Sequence, residues 1–161
     1  MTSHDETKPD RAGSRIDHLN IAVPDHAAAV AFYEPVLACI GITKMLEIPT
    51  LKEGTQPAMI GFGLAGVKPY FWLVASGTVG SNMHIAFTVE TREEVHRFYE
   101  TALATGATSL HEPAVWPEYH DDYYGGFVVD PLGINLEAVC HHNTPAIKRA
   151  TRRLTSSHGA P

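Results

Sequence analysis

The stretch that begins at His18, HLNIAVPDHAAAVAFYEPVLA, returns 66 residues later, beginning at His84, as HIAFTVETREEVHRFYETALA, without a gap. His18 matches His84, Val23 matches Val89, and Phe32, Tyr33 and Glu34 match Phe98, Tyr99 and Glu100. Leu37 and Ala38 match Leu103 and Ala104, and hydrophobic class persists where identity fails, as with Leu19 and Ile85 or Ile21 and Phe87. A chain that repeats one unit twice folds as two copies of one supersecondary module. No other feature of the sequence restricts the fold as much.

Each copy opens with alternation of period two, the signature of a strand with two unlike faces. In the second copy Met83, Ile85, Phe87 and Val89 share an apolar face, and His84, Ala86 and Thr88 share the other. A helix follows. Thr91 and Glu94 form a capping box, Val95, Phe98 and Ala102 recur at helical spacing, and Gly106 supplies a stop. In the first copy Asp25 is the expected N-cap, and Pro35 predicts a kink or break near the helix end. Strand-like runs then occupy 42–48, 58–65 and 70–75 in one copy and 108–111, 124–130 and 135–140 in the other, with DPLG at 130–133 as a hairpin turn. The expected fold is α+β, two βαβββ modules related by a pseudo-twofold. Residues 15–79 and 80–141 form the two modules of one domain, between a polar tail at 1–14 and a basic tail at 142–161.

A net charge of −6 gives no reason to expect nucleic acid as a partner, and the four basic residues of the last tail, Lys148, Arg149, Arg152 and Arg153, do not change that. Apolar runs are short, which argues against a membrane partner, and the first residues lack the apolar stretch of a secretory signal. Cys39 and Cys140 are isolated thiols, so a reducing, cytoplasmic setting is expected, with both cysteines as small buried residues.

The repeat changes how the histidines read. One histidine in a buried strand is ordinarily a hydrogen-bonded core residue. Two at equivalent positions, beside polar Asn20 and Thr88, suggest a lined cavity. In NLEAVC, Leu136, Ala138 and Cys140 take one face, leaving Asn135, Glu137 and Val139 on the other. An ionised glutamate within a central strand is costly unless it meets a cation. His18, His84 and Glu137 therefore form a candidate facial triad for a divalent metal that keeps open coordination positions.

These residues also carry a family likeness. Through IDHLNIAV, MHIAFTV, the FYE of both halves and GGFVVDPLGINLEAV, the chain resembles the vicinal oxygen chelate superfamily over about residues 15–141. That superfamily includes glyoxalase I, bleomycin-resistance proteins, methylmalonyl-CoA epimerase and type I extradiol dioxygenases. The resemblance implies mixed sheets of the paired modules curling around a central cavity with a metal held inside, ligand positions at His18, His84 and Glu137, a small-molecule substrate and a homodimer. Glyoxalase I draws a further ligand from the last strand of its first module. Here that place falls to Phe71, or to Trp72 if the loops differ by one residue, and neither binds metal. Three protein ligands remain, as in extradiol dioxygenases and fosfomycin-resistance enzymes. The latter carry a threonine two residues after the first histidine, where this chain has Asn20.

The segment WPEYHDDYYGG, 116–126, resembles a YHxxYY signature of small glyoxalase/dioxygenase-like proteins. His120 is a candidate general acid or base, and Tyr123 or Tyr124 a candidate donor to a developing oxyanion. Trp72, Phe62 and Trp116 are read as core or as pocket lining, His26, His96 and His111 as solvated, and His141 and His142 as rim residues rather than ligands. The expected activity is metal-dependent and dioxygenase-like, on a small oxygen-chelating substrate such as an aromatic diol, with Fe(II) first and Mn, Zn or Ni after it. The alternatives are a metal-dependent lyase or isomerase and a non-catalytic, bleomycin-resistance-like binding protein.

Overall fold

A computed structural model describes residues 16–50 and 57–142. The expectations for the 1–14 tail and for the basic tail beyond His142 lie outside the described residues. The first module runs β1 (Leu19–Ala22), α1 (His26–Ala38), β2 (Ile42–Ile48), β3 (Met59–Leu64) and β4 (Phe71–Val74). The second runs β5 (His84–Thr88), α2 (Arg92–Ala104), β6 (Thr108–Val115), β7 (Tyr124–Val129) and β8 (Asn135–Cys140). Each builds a four-stranded mixed sheet, in order β1-β4-β3-β2 and β5-β8-β7-β6. The first and last strands of each module pair in parallel and the other neighbours are antiparallel. The fold is two βαβββ modules, as the repeat implied.

Local chemistry starts both helices. The Asp25 side chain accepts from the Ala28 amide at 2.9 Å. Thr91 and Glu94 complete the reciprocal capping box, satisfying amides that an isolated helix leaves unpaired. Pro35 does not break α1, which continues to Ala38. The ring removes the N–H that would reach the Ala31 carbonyl. Val36 and Leu37, directly after it, are completely buried, and their packing outweighs one missing hydrogen bond.

The helices cover one face of the sheets, and the core lies there. It is continuous between modules: the Phe71 ring of β4 meets Phe87 of β5 at 5.6 Å, and Phe87 meets Phe98 of α2 at 6.0 Å. Polar links cross as well, among them the Arg97 Nε bond to the Cys39 carbonyl at 2.9 Å. The buried Tyr33 hydroxyl of α1 donates to Asp130 Oδ2 at 2.6 Å, while Asp130 Oδ1 accepts from the amides of Leu132 and Ile134 in the β7–β8 turn. The other face of each sheet carries its own cavity. Among the described residues no helix is long and apolar enough to cross a membrane.

Candidate functional site

Strand register assembles the site. In the β5–β8 ladder His84 stands opposite Asn135, and Ala86 stands opposite Glu137. Alternation puts all four side chains on the face away from the helices. Because Ala86 is small, the His84 ring reaches diagonally to Glu137, and Nε2 lies 3.1 Å from Oε2. Phe127 of β7 is the partner of Glu137 on the other side, and its ring stacks with that of His84 above β8. Tyr123, just before β7, shares the parity of Phe127, and its hydroxyl donates to Glu137 Oε1 at 2.6 Å.

Glu137 is only 1% exposed, whereas the His84 side chain is 46% exposed. Burial pushes the Glu137 carboxyl above the ordinary carboxylate range, against the opposing pull of the Tyr123 hydrogen bond and the His84 ring. Burial and the adjacent carboxylate also raise the Tyr123 phenol. A buried carboxylate with an imidazole at its free oxygen is a natural cation site. Two donors at about 2.1 Å from a metal and at right angles to each other stand ~3.0 Å apart. The 3.1 Å between Nε2 and Oε2 fits that spacing.

The cavity over this pair encloses about 430 Å³. Its walls include Leu110, His111, Trp116 and Phe127, and among the described residues neither lysine nor arginine lines it. Trp116 stands edge-on to Phe127 at 5.2 Å and is anchored by its Nε1, which donates to the Gly125 carbonyl. Asn135 also lines the cavity, and its buried Oδ1 has no hydrogen-bond partner.

His18 lies elsewhere. It lines a cavity on the first sheet with Asn20, Met59, Lys68 and Trp72. Its Nδ1 is 2.7 Å from Asp17 Oδ1, and Lys68 bonds the other Asp17 oxygen. Among the described residues no three His, Cys, Asp or Glu side chains of the one chain converge as a metal cluster. Register also decides what replaces the carboxylate in the first module. Leu19 pairs with Phe71 as Ile85 pairs with Leu136, so Trp72 occupies the place of Glu137. Its ring lies against Gly61, where an added Cβ would come within 2.9 Å of it.

The YHxxYY segment divides in the same way. Tyr124, expected beside the substrate, instead points to the helix side, where its hydroxyl is 2.7 Å from His96 Nε2 and the Arg92 guanidinium covers its ring. Odd and even residues of a strand face opposite ways, so only Tyr123 of the two reaches the cavity. His120 Nδ1 accepts from the Asp122 amide at 3.2 Å, and its Nε2 is 2.9 Å from His141 Nδ1. The rings of His120 and His141 both stand edge-on to Tyr123.

Three histidines take places that the repeat does not specify. His141 continues the parity of Glu137 and Val139, a signal already present in the sequence. His111 is exposed, as expected, and lies on β6 where two register shifts re-aim the strand, so that its ring also packs on Trp116 and Phe127 at the cavity wall. His26, also expected to be solvated, has a buried Nε2 without a partner. Phe62 is core, whereas Trp72 and Trp116 line the two cavities.

Comparison with known proteins agrees with this architecture. No curated protein sequence matches the chain. Among solved structures, a glyoxalase/bleomycin resistance protein from Albidiferax ferrireducens T118 superposes with a TM-score of 0.66 at 18% identity, covering 79% of this chain and 99% of its own. The fosfomycin resistance protein FosX from Listeria monocytogenes, a mutant form complexed with Mn(II) and 1S,2S-dihydroxypropylphosphonic acid, gives 0.57 at 18% identity over 86% and 98% of the two chains. Lactoylglutathione lyase from Agrobacterium tumefaciens gives 0.55 at 22% identity over 79% and 93%. These likenesses show the fold. The family model of the Glyoxalase/Bleomycin resistance protein/Dioxygenase superfamily matches residues 15–138, and the chain belongs to that superfamily.

Proposed function

We propose that the protein is a divalent-metal-dependent enzyme acting on a small oxygen-chelating substrate, with dioxygenase-like chemistry on an aromatic diol as the leading reaction. The observation that carries this reading is Glu137, a carboxylate buried to 1% exposure on the cavity face with His84 at its free oxygen. Burying such a charge without a cation costs several kcal/mol, on the order of what one buried ion forfeits. His84, Glu137 and His18 hold the metal, Fe(II) in the leading case and Mn, Zn or Ni otherwise. When bound, it supplies a Lewis acid and a redox centre with open positions.

His18 reaches the site from a second copy of the chain. The two half-cavities open on separate sheets, and the side chains of His18 and His84 are both about half exposed. Outer strands β2 and β6 leave Met45, Leu46, Leu110 and Val115 exposed, apolar surface that a homodimer packing the first sheet on the partner's second sheet would cover. Within the cavity, Phe127, Trp116 and His111, packed edge-on to one another, form one aromatic wall against which a flat ring packs, and Asn135 Oδ1 accepts a substrate O–H. His120 is the general acid or base, acting at Nε2, where the substrate would take the place that His141 holds. The aromatic wall of Trp116 and Phe127 on the second sheet favours a substrate with a flat ring. Free thiols at Cys39 and Cys140 fit a cytoplasmic setting.

The test loads metal-free protein with Fe(II), Mn(II), Zn(II) or Ni(II) and then measures oxygen uptake with a panel of catechols. Stoichiometric binding that is lost in His84→Ala, with oxygen uptake on at least one catechol, is the expected result. Metal binding without oxygen uptake transfers the assignment to a lyase or isomerase, for which the His120–His141 pair beside the cavity supplies acid and base. Failure to bind any of the four metals refutes the enzyme reading and leaves a sequestering protein.

A further inference from the structure

We infer that Gly125 is a positioning residue: its missing side chain makes the space in which Tyr123 pins one oxygen of Glu137, leaving a single oxygen, Oε2, beside His84. The inference rests on the metal-site reading for its purpose, though its geometry is independent of any metal. Glycine in the middle of a strand forfeits side-chain packing and marks a close approach by something else. Gly125 sits in the β7 ladder opposite Val139, and its backbone is not in the left-handed region, so conformation does not require a glycine there. Space does. A Cβ at this position would stand 2.7 Å from Glu137 Oε1 and 3.2 Å from Tyr123 Cε1.

The first module supplies an internal comparison. Met59 pairs with Val74 as Gly125 pairs with Val139, so Met59 is the register equivalent of Gly125. There the neighbouring strand carries Trp72 in place of the glutamate, and a full side chain is accommodated. The adjacent Gly126 has a different explanation: on the helix side, a Cβ would press on Pro113 and Val95. Gly125 alone serves the carboxylate. With Oε1 engaged by the 2.6 Å bond from Tyr123, Glu137 acts as a one-oxygen donor in a fixed orientation, the role that outer-shell partners of metal ligands perform.

The test uses Gly125→Ala, Tyr123→Phe and the double variant of the full chain. In metal-free protein the Tyr123 hydroxyl, bonded to a buried carboxylate, is expected as a downfield, slowly exchanging proton resonance, lost in both single variants. Mn(II) affinity, measured by chelator competition, is expected to fall by about 10- to 100-fold in each single variant, and the double variant is expected to be no weaker than the weaker single. Both act on one carboxylate, so their effects do not multiply. Retention of the hydroxyl signal in Gly125→Ala, unchanged Mn(II) affinity, or losses that multiply would each overturn the inference. Should wild-type protein bind no Mn(II), the comparison is made with Fe(II), Zn(II) or Ni(II); the metal reading fails if none of the four binds, while the hydroxyl resonance still decides the role of Gly125. Should Gly125→Ala be too unstable to load, its thermal midpoint is compared in a Glu137→Ala background. Disappearance of the destabilisation there supports the inference, and an undiminished loss overturns it.

Discussion

Glu137→Gln removes a buried charge while keeping shape and one acceptor oxygen. In the metal-free protein the native carboxylate forfeits its hydration, a loss of several kcal/mol for a buried ion. In return it has the Tyr123 bond at 2.6 Å and the His84 contact at 3.1 Å, charge-assisted contacts of about 1.5–3 kcal/mol each. Burial is the largest influence on the carboxyl and raises it against both contacts, so the charge is expected to cost more than they return. Glutamine keeps an oxygen for Tyr123 at about half the charged strength and carries no desolvated charge. The variant should be more stable than wild type by about 1–2 kcal/mol at neutral pH, or roughly 2–8 °C for a chain of this length. The sign follows from linkage. A carboxyl whose folded pKa lies above its unfolded one contributes stability that is complete below the unfolded value and is lost as pH rises through the folded value. The advantage of glutamine therefore appears at about pH 7 and vanishes at about pH 3.5, where the wild-type side chain is protonated in both states. Thermal unfolding of chelator-treated proteins at the two pH values measures it. A glutamine variant less stable than wild type at neutral pH, or a difference independent of pH, would refute the reasoning.

Other changes probe the frame that holds the site. Tyr33→Phe deletes the hydroxyl that joins α1 to the β7–β8 turn and leaves Asp130 Oδ2 without its buried donor. The expected loss is about 1.5–3 kcal/mol, read from denaturant midpoints at unchanged m-value. Pro35→Ala restores a helix amide at an exposed position of α1. It should stabilise the protein by about 1–2 kcal/mol, less than the full interior penalty of proline because alanine frees the unfolded chain. A loss of stability would mean that the ring packs usefully.

Period-two alternation made half of the candidate site legible in the sequence. It set His84 and Glu137 on one face, and the diagonal contact across Ala86 follows from parallel pairing of the first and last strands. The same rule extends to His141, two steps beyond Val139, but the alternation there runs past the end of β8, where the strand signal stops. Tyr123 and Tyr124 were indistinguishable because the Pro- and Tyr-rich segment before them carries no alternation from which to count parity. The place of His111 at the cavity wall is not legible because bulges in β6 break the count between Ser109 and Ala114. The replacement of the carboxylate by Trp72 depended on a one-residue difference in loop length, which the β1–β4 register resolves. The separation of His18 from its two expected co-ligands is a tertiary fact. Periodicity assigns a side chain to a face of its own sheet and carries no information about which other sheet that face will meet.

The sharing of one site by two copies of the chain is tested most directly by co-expressing His18→Ala with His84→Ala. Each variant alone should bind no metal at the site. In mixed dimers one site pairs the intact His18 of one copy with the intact His84 and Glu137 of the other, so about a quarter of all sites should be restored when copies assort at random. Metal content near that fraction, found only in the mixed dimers, is the expected result. Full metal binding by His18→Ala alone, or no recovery in the mixed dimers, would contradict it.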